Sequence, residues 1–68
     1  MPTVTVNGVS RTFAASDPTI RALILELGLE GKRIAVEHNG EIVPRSRYAE
    51  TRILAGDTLE IVGAVGGG

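Results

Sequence analysis

Ile20, Leu23, Ile24 and Leu27 fall at i, i+3, i+4 and i+7, and this one apolar stripe limits the fold more than any other stretch. The spacing predicts a helix with a single buried face. Asp17 reads as its N-cap and Pro18 as its first residue, where the missing N–H costs nothing. Gly28 reads as the left-handed residue that ends it, with Leu29 folding back on Ile24. A helix of about ten residues is unstable by itself. It must lie on a sheet, and the sequence offers strands on both sides of it.

Before the helix, Thr3-Val4-Thr5-Val6 alternates polar and apolar residues and is rich in β-branched side chains. Asn7-Gly8 then gives the strongest two-residue hairpin signal. Val9 to Phe13 reads as the return strand, although its alternation places Arg11 beside Val4 and Val6. A bulge or an exposed edge resolves that conflict. After the helix, Ile34 to His38 reads as a strand, Asn39-Gly40 as a second hairpin turn and Glu41-Ile42-Val43 as its return, ended by Pro44. Residues 45–52 are polar and read as a loop with one short helical turn. Ile53 and Leu54 return to the core, Ala55-Gly56-Asp57 turns, and Thr58 to Val62 forms the last strand with Leu59 and Ile61 on one face. One helix covers one face of so small a sheet, so the fold class is α+β. The other face is left to solvent or a partner.

Composition decides what holds this together and which functions drop out. A chain of 68 residues is near the lower size for unaided folding. It has no cysteine, which excludes disulfides and cysteine-ligated zinc, and a single histidine, which excludes a histidine-rich metal site. The core therefore rests on aliphatic packing. The net charge of −1 gives no reason to expect nucleic acid or an anionic membrane as partner. No leader-like or membrane-length apolar run is present, and a cytoplasmic protein is the expectation.

Side-chain chemistry has no candidate centre. His38 sits between Glu37 and Glu41 and reads as a strand-end surface residue. No serine stands in a nucleophile-elbow context, and no helix follows the final glycines to make a phosphate loop. Arg45, Arg47 and Arg52 form a loose basic cluster, read as a solvated loop or as a contact for phosphate or an acidic partner. The distinctive feature left is the end, Gly63-Ala64-Val65-Gly66-Gly67-Gly68. A glycine run reads as a frayed end or linker, or as a thin, flexible tail that carries a carboxylate into a channel too narrow for a Cβ. A free carboxylate must be activated before it accepts a nucleophile. Acyl-adenylate formation from ATP would do this, and a partner enzyme would have to supply the nucleotide site.

Several short motifs bear on the choice: Val6-Asn7-Gly8, the helix end Leu27-Gly28, Val36-Glu37-His38-Asn39-Gly40-Glu41-Ile42-Val43-Pro44-Arg45, Leu54-Ala55-Gly56-Asp57-Thr58-Leu59-Glu60-Ile61-Val62 and Gly67-Gly68. With these, the chain resembles, end to end, the ThiS sulfur carriers of the ubiquitin-like β-grasp superfamily, which also contains the MoaD carriers. Tyr48 stands where that family often has tryptophan, and Gly66 adds a third glycine before the diglycine. The resemblance implies a β-grasp domain over residues 1–65, a mixed sheet packed on one main helix, with a flexible tail over 66–68. It implies that a ThiF-type adenylyltransferase activates Gly68 with ATP and that sulfur from a cysteine-desulfurase persulfide replaces AMP. The thiocarboxylate would then give its sulfur to the thiazole of thiamine on the thiazole synthase ThiG. The chain would be a co-substrate rather than an enzyme, with no cofactor of its own. Gly66 and Gly67 would thread into partner sites, and Val62, Val65 and Arg45 are the candidate docking residues. Other recipients (molybdopterin, tRNA, cysteine or a specialised metabolite) remain open, as does a ubiquitin-like modifier joined to lysine through Gly68.

Overall fold

The computed structural model describes residues 1–63. Strand β1 (Thr3–Val6) turns at Asn7-Gly8 into β2 (Val9–Thr12). Helix α1 (Ile20–Glu26) follows, then β3 (Ile34–His38), β4 (Glu41–Val43), a single 3₁₀ turn (Arg45–Arg47) and β5 (Thr58–Gly63). The five strands form one sheet in the order β2-β1-β5-β3-β4. Only β1 and β5 run parallel; the other neighbours are antiparallel. The last strand thus lies in the middle of the sheet and the two hairpins flank it. This mixed sheet folded over one helix is the expected β-grasp arrangement.

Both Asn-Gly pairs form the turns their sequence demands. Asn7 and Asn39 have φ of 50° and 53°, and the glycines after them 82° and 88°. Positive φ at both central residues gives the hairpin a twist that matches its strands. The awkward return strand resolves as an exposed edge. Arg11 pairs with Val4 across the ladder, but β2 is outermost and all four of its residues are exposed. Phe13, just beyond it, is buried.

The helix stripe packs as its spacing requires. Ile20, Leu23 and Ile24 are buried against Val4, Val6, Phe13, Val36, Ile53, Leu59 and Ile61, while Leu27 and Ile34 pack at the rim. Two expectations need correction. The helix starts at Ile20, not Pro18, and its N-cap is Thr19, whose hydroxyl accepts from the Ala22 N–H at 3.2 Å. Asp17 instead pairs with Arg52 at 3.2 Å. The cause is tertiary: the Ile53 N–H donates to the Pro18 carbonyl and the Ile20 N–H to the Thr51 carbonyl. That bridge holds Thr19 extended. Leu54 is the second correction. It is 63% exposed, because residues 51–53 lie beside the helix start and only Ile53 turns inward.

The helix end matches its sequence. Gly28 has a φ of 73°, its N–H donates to the Leu25 carbonyl, and the Leu29 N–H donates to the Ile24 carbonyl. These two bonds satisfy carbonyls that a helix end leaves free.

Candidate functional site

Strand β5 carries the chain to its distinctive end, so the site is built around it. Its alternation sends Leu59 and Ile61 into the core and leaves Thr58, Glu60 and Val62 on the outward side. Gly63 is opposite Ile34 of β3. The backbone of β5 is held on both flanks by the two turn asparagines. The Asn7 amide donates to the Ile61 carbonyl at 2.9 Å, and its oxygen accepts from the Ile61 N–H at 2.7 Å. The Asn39 oxygen accepts from the Thr58 N–H at 2.8 Å. The two asparagines therefore do more than turn the chain. They extend the ladders past the ends of β1 and β3 and fix the central strand lengthwise.

Asp57 anchors the start of the same strand. One carboxylate oxygen lies 2.6 Å from His38 Nε2 and accepts from the Leu54 N–H at 2.8 Å. The other accepts from the Asn39 amide at 3.1 Å. Burial raises the carboxyl's pKa, but the bonds from His38, Leu54 and Asn39 and the charge of His38 outweigh it, and the net shift is downward. His38 is therefore no isolated surface residue. Its partner is Asp57, 19 positions away, and neither Glu37 nor Glu41 holds it. No residue spacing signals that pairing, since it depends on β5 lying beside β3. Each member has a structural task, and the described residues contain no group of acids and histidine that would hold a metal ion.

The other candidate residues divide between two surfaces. Val62 is 58% exposed on the outward sheet face, near Ile42 at 65%. Arg45 is not on that face. It lines a groove on the helix side with Arg21, Lys32, Ile34 and Tyr48. The loose arginine cluster is dispersed: Arg47 lies 3.8 Å from Glu50 and Arg52 pairs with Asp17. Val65, Gly66, Gly67 and Gly68 lie outside the described residues, as does the expected domain boundary at 65. None of the described helices is long and apolar enough to cross a membrane.

What this arrangement offers is a central strand, held on both flanks, whose described end at Gly63 lies opposite Ile34. Comparison with known proteins says which family shares it. The chain is 51% identical over 63 residues to a thiazole synthase of Paramagnetospirillum magneticum, covering 93% of this chain and 19% of that protein. The chain thus spans about a fifth of that relative's length. It is 38% identical over 63 residues to the sulfur carrier protein ThiS of Bacillus subtilis, covering 93% of this chain and 96% of the relative. Among solved structures, the crystal structure of the thiamine biosynthesis protein ThiS from Geobacter metallireducens superposes with a TM-score of 0.83 at 31% identity, covering 97% of this chain and 99% of that one. The ThiS family model matches residues 4–68, from the first strand through the final glycines, and on this evidence the chain belongs to the ThiS family.

Proposed function

We propose that this chain is a sulfur carrier for the thiazole of thiamine and acts as a co-substrate of partner enzymes. The observation that carries the reading is the family match through the final glycines, together with near-complete coverage of a named sulfur carrier. In the proposed reaction a ThiF-type enzyme joins the Gly68 carboxylate to the AMP of ATP, and pyrophosphate leaves. The terminal sulfur of a desulfurase-derived persulfide forms a bond to the acyl carbon as AMP departs. A thiol reductant then cleaves the remaining S–S bond and leaves a thiocarboxylate. ATP is bound by the partner, and the carrier needs no cofactor.

The first relative supports one recipient over the others. A segment 51% identical to this chain occurs within a longer thiazole synthase, which supports a thiazole synthase as the acceptor. Gly66 and Gly67 present backbone without side chains, so a narrow channel admits them. Ordering each such residue costs on the order of 1–2 kcal/mol, which contacts in the partner must offset.

Single-turnover transfer tests the recipient. The thiocarboxylate form, incubated with a thiazole synthase and its co-substrates, should lose its sulfur and yield the thiazole product. Retention of sulfur there, with loss to a molybdopterin precursor instead, would overturn the thiazole assignment.

A further inference from the structure

On the outward face of the sheet, Glu37 of β3 and Glu60 of β5 stand directly opposite each other. Like charges in that position repel. Neither has an ion-pair partner among the described residues. The row continues into β4, where Ile42 is opposite Glu37. Beside it, Val62 is opposite Ala35, and together these residues line a shallow depression. None of the seven lysines and arginines occupies a strand position on this face. Among the described residues, two adjacent carboxylates thus stand next to two exposed branched aliphatics with no ion-pair partner for the first.

We propose that this face receives an arginine of the ThiF-type activating enzyme, its guanidinium bridging Glu37 and Glu60 while apolar surroundings cover Ile42 and Val62. Directly opposed residues have Cβ atoms about 4.5–5.5 Å apart, so both carboxylates reach one group between them. A guanidinium is planar, carries donors on two edges and is weakly hydrated, which suits it to that place better than an ammonium. A second copy of this chain does not fit, because its matching face would bring four carboxylates together. An anionic membrane is repelled for the same reason. The patch also lies on β5, the strand that ends the described residues at Gly63. The assignment rests on the carrier reading and gives that reading a recognition surface.

The test is thiocarboxylate formation at varied carrier concentration, with the ThiF-type enzyme, ATP and a sulfur donor. Glu37→Gln/Glu60→Gln should raise the half-saturating concentration about tenfold, as for loss of a desolvated charge contact, with the maximal rate little changed. The salt dependence seen with the wild type should flatten. Thermal stability should hold or rise, since the repulsion is removed; a merely structural role would lower it. Glu26→Gln, on the exposed helix face, should behave as the wild type. An unchanged half-saturating concentration in the double variant, with the wild type loading normally, would overturn the proposal and leave the carrier reading standing. A wild type that takes no sulfur from an active partner would overturn both.

Discussion

Asp57 shows how much one carboxylate does in a domain this small. It binds the ring of His38, the Leu54 N–H and the Asn39 amide at once, and so ties the start of β5 to the β3–β4 turn. Its folded pKa lies below the ordinary value of 3.8. The stabilisation it supplies is therefore fully present above that value and is lost as pH falls through the folded value. Asp57→Asn should cost about 1–3 kcal/mol at neutral pH, because it leaves part-buried groups without an acceptor. The gap between wild type and variant should narrow in urea unfolding once the pH drops below about 4. A gap that stays constant down to acid pH would show that the carboxylate's charge is not what stabilises the fold. The sequence announced the turn at Asp57 but not its reach to His38, which exists only because β5 inserts between β1 and β3. Asn7 and Asn39 show the same limit. Their turn geometry was legible in the Asn-Gly pairs, and their side-chain bonds to β5 were not.

Among the elements, the helix was read from a local signal at one end and misread at the other. Its C-terminus needs only Gly28 in the left-handed region, a requirement the sequence states directly. Its N-terminus is set by residues 51–53, which pair with 18–20 and pass the cap to Thr19. Propensity pointed to Asp17 as cap and Pro18 as first residue, and a long-range bridge moved the cap to Thr19. Thr19→Ala should destabilise the domain by about 1 kcal/mol, the usual effect of losing an N-cap. Asp17→Ala loses an exposed ion pair and should change stability by less than about 0.5 kcal/mol. Reversal of that order in chemical denaturation would return the cap to Asp17. The strands were legible almost in full because period-two alternation and turn chemistry agree. The edge position of β2 was one of two alternatives, beside a bulge, and strand order, a property of the whole sheet, decided between them.

At the scale of the molecule, the described residues form one packed body, and the chemistry proposed for this chain falls on Gly68, outside them. The ten buried hydrophobics form one cluster between helix and sheet, and β5 runs through the middle of it. Pulling on the end therefore loads the central strand rather than an edge. On the proposed carrier reading, Gly68→Ala lowers the rate of sulfur loading and leaves thermal stability unchanged. Normal loading of that variant would count against a narrow channel. The small α+β body was legible from alternation and helix spacing, while the glycine end proposed as the site lies outside the described residues. The exposure of Val62 on the outward face was expected from alternation, but the Glu37–Glu60 opposition requires the register of β3 on β5. Intact mass before and after incubation with ATP, a ThiF-type enzyme and a cysteine-desulfurase sulfur source tests the central claim most directly. The account predicts a mass gain equal to one oxygen replaced by sulfur, located on Gly68 by fragmentation. An unchanged mass with a partner proven active on its own carrier would contradict it.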